Sequence, residues 1–178
     1  MHWLNEPSVW KFEKGVLSFT TNPKTDFWRK THYGFVRDSG HFYFETVSGD
    51  FEAEITVHGE YRELYDQAGL MIRVDETTWL KTGIEFVDGI QYASAVVTRD
   101  YSDWSVVPLP ISTERLRLRL KRIGGTVVIE YAANDNPWGM LRTTYLSETQ
   151  DLAVGPMAAT PDGSGFNVRF TDWKLLGR

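Results

Sequence analysis

Hydrophobic and polar residues alternate with a period of two along most of the chain. Side chains of a strand point to opposite faces in turn, so each run predicts a strand with one face turned to a core. Over 51–58, Phe51, Ala53, Ile55 and Val57 share a face opposite Glu52, Glu54, Thr56 and His58. Over 67–74, Ala68, Leu70, Ile72 and Val74 oppose Gln67, Gly69, Met71 and Arg73. Leu116, Leu118 and Leu120 alternate with Arg115, Arg117 and Arg119, and Phe166, Val168 and Phe170 share a face near the C-terminus. Turn residues punctuate the runs. Ser48-Gly49-Asp50 predicts a hairpin joining 41–47 to 51–59, and Gly124-Gly125 and Asp88-Gly89 predict two more. Roughly a dozen short strands of this kind predict an all-β, two-sheet antiparallel sandwich of the jelly-roll type. Helix is limited to a turn near Ser147–Gln150. No linker, repeat or shift in composition divides the chain, which predicts a single domain over 1–178.

The run from Trp79 to Val87 has an unusual second face. Leu80, Ile84 and Phe86 form its core side, whereas Trp79, Lys81, Gly83 and Glu85 form the other. Asp88-Gly89 favours a two-residue type I′ turn, which sets Glu85 opposite Tyr92, Gly83 opposite Ser94, Lys81 opposite Val96 and Trp79 opposite Thr98. Two same-face registers fit the preceding turn. One opposes Arg73 to Lys81, a like-charge pair that sheets disfavour. The other opposes Arg73 to Trp79, where a cation–π contact is available, and Gln67 to Glu85; it is preferred.

Three strands then present Gln67, Met71, Arg73, Trp79, Lys81, Gly83, Glu85, Tyr92 and Ser94 on one surface. An aromatic ring stacks on the C–H face of a sugar, and carboxylate, amide and ammonium groups bond its hydroxyls, so this mixture suits a saccharide. Gly83 would let a ligand approach the backbone. The segment TDFWRKTHYGFVRDSGH adds Asp26, Trp28, Arg29, His32 and Tyr33 as a wall for one end. A plain exterior with weak surface ion pairs, and a loop that merely packs, account for the same residues. The arginines at 115, 117 and 119 read either as an anion site or, preferably, as a solvated face that discourages edge-to-edge association.

Composition narrows the chemistry. The net charge of −5, with no concentrated basic patch, argues against nucleic acid. The absence of cysteine excludes disulfides and thiolate chemistry. The opening MHWLNEPSVW has no basic segment leading into an apolar run, and no run is long enough to span a membrane, so a cytoplasmic protein without a membrane partner is expected. His32, His41 and His58 lack metal-site spacing, no Gly-x-Ser-x-Gly elbow or phosphate-cradling glycine loop occurs, and Asp100 and Asp103 sit in no recognisable calcium loop. No metal, cofactor or catalytic residue is assigned.

DQAGLMIRVDETTWLKTGIEFVDG, TDFWRKTHYGFVRDSGHFYFE and GPMAATPDGSGFNVRFTDWKL together resemble a family of uncharacterised bacterial and fungal proteins, some fungal members of which carry a label for regulation of enolase. The resemblance implies a concanavalin A-like lectin/glucanase fold with its carbohydrate groove on a concave sheet. Glucanases of that fold carry E-x-D-x-E on one strand, with two carboxyls about 5–5.5 Å apart for retaining chemistry. Here the corresponding pattern is Lys81-x-Gly83-x-Glu85, and Glu52-x-Glu54 is followed by Thr56. The expectation is therefore a non-catalytic, lectin-like domain whose ligand is a small sugar or sugar derivative. The ligand residues would be Trp79, Lys81, Glu85, Tyr92, Gln67, Ser94 and Arg73, with Trp28, His32 and Tyr33 at one end. A regulatory domain with a protein partner in sugar metabolism is the alternative, and a hydrolase or lyase with other catalytic residues is a second.

Overall fold

The protein is described from a computed structural model that covers residues 1–177. Every regular element is a strand and every pairing is antiparallel. The first sheet runs β1 (His2–Leu4), β6 (His41–Ser48), β15 (Asp151–Ala159), β8 (Gln67–Arg73), β9 (Thr78–Val87), β10 (Ile90–Arg99) and β11 (Tyr101–Pro108). The second runs β14 (Gly139–Tyr145), β13 (Thr126–Ala133), β12 (Leu116–Ile123), β7 (Phe51–Gly59), β16 (Asn167–Gly177), β3 (Val16–Thr20) and β2 (Val9–Glu13). A short ribbon, β4 (Phe27–Arg29) with β5 (Val36–Asp38), completes the sixteen strands of the described residues. The excess over a dozen comes mainly from the three-residue strands β1, β4 and β5, which are too short to show alternation.

The alternating apolar faces meet between the sheets. Ala68, Leu70, Ile72, Leu80, Ile84 and Val97 from the first pack against Ala53, Ile55, Val57, Leu118, Ile129 and Phe170 from the second, all nearly solvent-free. The two sheets form a sandwich, in which burial of inward side chains supplies the stabilisation. Both registers inferred for β8–β9–β10 are observed, with Gln67 opposite Glu85, Arg73 opposite Trp79 and Glu85 opposite Tyr92. Asp88 and Gly89 have φ of 50° and 82°, as a type I′ turn requires.

Three local expectations are corrected. Ser48-Gly49-Asp50 does not close a hairpin: β6 pairs with β1 and β15, β7 pairs with β12 and β16, and the turn is an arch between sheets. Hairpins and arches need the same turn residues, so composition cannot separate them. Residues 147–150 form no helical turn, because the buried Arg122 guanidinium takes the carbonyls of Ser147 and Thr149 at 3.4 and 2.6 Å. Gly83 faces Gly69 across β8–β9, and a Cβ at Gly83 would lie 2.1 Å from the Ala68 carbonyl oxygen. Its lack of a side chain serves strand packing rather than a ligand.

On the outer face of the second sheet the arginine ladder is engaged. Arg119 meets Glu54 at 2.5 Å, Glu130 at 3.5 Å and Glu52 at 3.6 Å, and stacks over Trp138 at 4.2 Å. Arg117 donates to the carbonyls of Asn134 and Asn136, and Arg115 pairs with Asp135. These guanidinium groups are held by carboxylates and carbonyls, so the ladder is a charged lattice, not an anion site. No described residue lies in a helix long and apolar enough to cross a membrane.

Candidate functional site

The outer face of the first sheet is where β9 turns Trp79, Lys81, Gly83 and Glu85. The β4–β5 ribbon lies across it and divides it into two ends. At one end Phe27, Phe42, Met71, Trp79, Val96 and Met157 form a second apolar core, with Trp79 and Met71 wholly buried. Phe27 stacks obliquely on Trp79 at 6.1 Å between ring centroids. The ribbon is anchored by a two-pronged ion pair of Arg73 with Asp38 at 2.7 and 2.8 Å. Asp100 holds its other side, accepting from Lys30 at 2.7 Å and Arg29 at 3.0 Å, and these bonds keep its carboxyl below the usual range. Asp103 is likewise paired with Arg142. Among the described residues no three His, Cys, Asp or Glu side chains are grouped to hold a metal ion.

At the other end the face opens into a cup of about 180 Å³. Its floor is Asp26, Gln67, Lys81 and Glu85, and its walls are Trp28, Tyr33, Phe35, Tyr65 and Trp104, with Pro161 and Asp162 on the rim. The walls are interlocked. Tyr33 stacks on Phe35 at 5.3 Å and meets the edge of Trp28 at 5.8 Å, and its hydroxyl bonds that of Tyr65 at 3.2 Å. Tyr65 has φ of 65°, a strained setting for a bulky side chain. It is held there by its N–H donating to the Phe86 carbonyl at 2.7 Å, and by Asp66, which accepts from Arg62 and Glu63 N–H at 2.9 Å each. Strain of this kind gathers at binding sites, where the surrounding structure over-determines it.

The floor is buried and mostly self-satisfied. Lys81 Nζ donates to the Phe27 carbonyl at 2.7 Å and to Gln67 Oε1, and lies 3.5 Å from Asp26 Oδ1. Gln67 Nε2 donates to the Tyr65 carbonyl at 3.1 Å and Asp26 Oδ1 at 3.4 Å. The Trp104 indole donates to Ser94 Oγ at 3.1 Å, and Ser94 donates to Glu85 Oε2 at 2.6 Å. Glu85 is 7% exposed. Burial pushes its carboxyl above the ordinary glutamate range, with Asp26 adding to the rise and Lys81, Ser94 and Trp104 opposing it.

The structure therefore gathers Gln67, Lys81, Glu85, Trp28 and Tyr33 around one cavity and places Ser94 directly behind Glu85. Four other expected positions lie outside the cup. Trp79 is no exposed stacking platform: Phe27 covers it, and it belongs to a core. Arg73 is engaged by Asp38 and lies over the Phe27 ring, at 6.0 Å, rather than over Trp79. Tyr92 faces the same side as Glu85 but does not line the cavity, and His32 is exposed, with its ring edge-on to Tyr33 at 4.8 Å. Sequence reasoning missed Phe35, Tyr65, Trp104 and Asp162. Trp104 had a usable signal, since the β10–β11 register pairs it with Val96 on the face that carries Ser94. A larger hollow, about 560 Å³, lies on the second sheet around Lys11, His58, Glu60, Glu114 and Arg169. Those side chains are exposed or half-exposed and solvated, so the cup is the stronger candidate.

Two packed antiparallel sheets with a ribbon over one outer face define a concanavalin A-like sandwich. Residues 3–177 match the family model described as "Protein of unknown function (DUF1349)", and the chain belongs to that family. It is 40% identical over 173 residues to "Regulation of enolase protein 1" of Saccharomyces cerevisiae, covering 97% of this chain and 87% of that protein. A crystal structure of a functionally unknown protein from Saccharomyces cerevisiae is 40% identical and superposes with a TM-score of 0.95, over 99% of this chain and 96% of that one. A xylan beta-1,4-xylosidase from Bacillus halodurans C-125 gives 0.72 at 13% identity, over 92% of this chain and 33% of that one. An alginate lyase from Klebsiella pneumoniae gives 0.61 at 11% identity, over 95% and 84%. These last two likenesses are of fold alone.

Proposed function

We propose that the cup binds a small saccharide and that the protein is a non-catalytic, lectin-like binding domain. The observation that carries this reading is five aromatic side chains enclosing a buried, hydrogen-bonding floor. Ring faces suit the C–H surface of a sugar, and the free oxygens of Asp26 and Glu85 suit its hydroxyls. The volume of about 180 Å³ corresponds to roughly six water molecules, the scale of one sugar ring rather than a polymer. The carbohydrate-active enzymes that share the fold support the same class of ligand. The name of the yeast relative supports a version in which occupancy of the cup is passed on to a partner protein.

The test is a thermal-shift and calorimetric panel of monosaccharides and amino sugars on the wild type and on Trp104→Ala. Trp104 is 36% exposed, so its truncation is expected to spare the core. At least one sugar is expected to raise the melting temperature of the wild type, and Trp104→Ala to weaken its binding by about tenfold, as loss of a stacking ring does. A panel in which no saccharide stabilises the wild type sinks the reading.

A further inference from the structure

We infer that the cup selects a ligand bearing an ammonium group, which, resting on the saccharide reading above, makes that ligand an amino sugar. The inference comes from counting which hydrogen-bonding groups are already engaged. Lys81 Nζ donates to Phe27 O and Gln67 Oε1 and is ion-paired with Asp26 Oδ1 at 3.5 Å. Both protons of the Gln67 amide go to Tyr65 O and Asp26 Oδ1. The indoles of Trp28 and Trp104 donate to Thr31 O and Ser94 Oγ, and the Ser94 hydroxyl donates to Glu85 Oε2. The hydroxyls of Tyr33 and Tyr65 bond each other, leaving one proton free between them.

Acceptors are the opposite case. Glu85 accepts from Ser94 at Oε2, with the Trp104 indole also stabilising its carboxylate, and Asp26 accepts at Oδ1. The floor thus places no bond on Asp26 Oδ2 and none from Ser94 on Glu85 Oε1, and exposed Asp162 adds a third acid at the rim. The cup thus offers acceptors and almost no donors. A ligand that matches it supplies protons rather than receiving them.

Charge and ring chemistry point the same way. Asp26 and Glu85 outnumber the single ammonium of Lys81 on the floor, and five aromatic rings line the space above. Aromatic faces attract cations, and a carboxylate without a counter-ion in a buried site gains from a partner ammonium. An anionic sugar, such as a phosphate ester or a uronate, would find a single tyrosine proton as donor and would oppose the acids. That argues against a sugar phosphate as the sugar derivative.

Isothermal titration tests this with glucosamine, N-acetylglucosamine, glucose, glucose 6-phosphate and tetramethylammonium, in buffer acidic enough to keep the amine protonated. Glucosamine is expected to bind at least about tenfold more tightly than glucose or N-acetylglucosamine, the difference between a charge-assisted and a neutral hydrogen bond. Glu85→Gln, which keeps the side chain's shape and removes its charge, is expected to bring that ratio close to one. Equal or tighter binding of glucose, N-acetylglucosamine or the phosphate overturns the charge selection and leaves the saccharide reading standing. Binding of tetramethylammonium without any sugar supports the charge selection and sinks the saccharide reading. Silence from all five ligands overturns both. The ligand ranking on the wild type decides the matter even if the variant folds poorly.

Discussion

Trp79 and Glu85 lie on one strand and point to one face, yet they belong to opposite kinds of environment. Around Trp79 the ribbon presses Phe27 onto the sheet, and Phe42, Met71 and Met157 complete a dry core. Around Glu85 the ribbon stands off, its aromatic residues ring a cavity, and the floor is charged. Lys81 sits at the junction, its ammonium 5.8 Å from the Trp79 ring centroid and tied to Phe27 O. A single lysine thereby fastens the cover of the apolar end and fills the floor of the polar end. The lesson is that alternation settles which way a side chain points, while the chain that folds over it settles whether it becomes core or site.

The sharpest way to break this comparison is to truncate one tryptophan at each end. Trp79→Ala removes a wholly buried indole from a packed cluster and is expected to lower stability by about 3–5 kcal/mol. Trp104→Ala removes a partly exposed wall and is expected to lower it by less than about 1 kcal/mol while impairing ligand binding. Urea unfolding of both variants supplies the measurement. Similar losses at the two positions would mean that the ends are not different in kind.

A smaller effect is expected at the tether that holds the ribbon down. Asp38 is 33% exposed at its side chain and Arg73 12%, so solvent screening reduces what their pair contributes. Asp38→Asn is expected to lower global stability by about 1 kcal/mol or less. Amide exchange is the more sensitive probe, and protection over 27–38 is expected to fall selectively as the ribbon opens. Uniform loss of protection across both sheets would show that the ribbon is no separate cover.

How much of this was readable from the chain follows from the range of each contact. The β8–β9–β10 floor was legible, because a type I′ turn at Asp88-Gly89 and avoidance of an Arg73–Lys81 pair are local rules that fix its registers. The sandwich was legible from periodicity. The cover was not: Phe27 reaches Trp79 through a loop with almost no period, so nothing near Trp79 marks it as buried. Tyr65 enters the cup through a positive φ that no turn pair announces. Trp104 was accessible in principle through the register across Asp100, one strand beyond those followed. The Ser48-Gly49-Asp50 arch was misread because the choice between pairing partners belongs to Ile55 and Leu118, opposite each other far along the chain.

The smallest expected effect distinguishes the two ends by the sign of a pH dependence. Glu85 on the floor has its carboxyl raised above 4.5 by burial, so the folded protein holds that proton more tightly than the unfolded chain. Its contribution to stability is fully present below the unfolded value and is lost as pH rises through the folded one. Asp100 at the tether behaves in reverse. The Lys30 and Arg29 bonds hold it below 3.8, so its contribution is present above that value and is lost as pH falls through the lowered one. Glu85→Gln is therefore expected to match the wild type in acid and to become relatively more stable as pH rises past the ordinary glutamate range. Asp100→Asn is expected to be less stable than the wild type near neutrality and to converge with it in acid. Urea titrations across pH 3 to 8 read both differences, and the wild-type minus Glu85→Gln curve carries the argument. A flat curve would mean that Glu85 titrates like a solvated carboxylate, and that the cup's floor is wetter and less able to discriminate by charge than its burial implies.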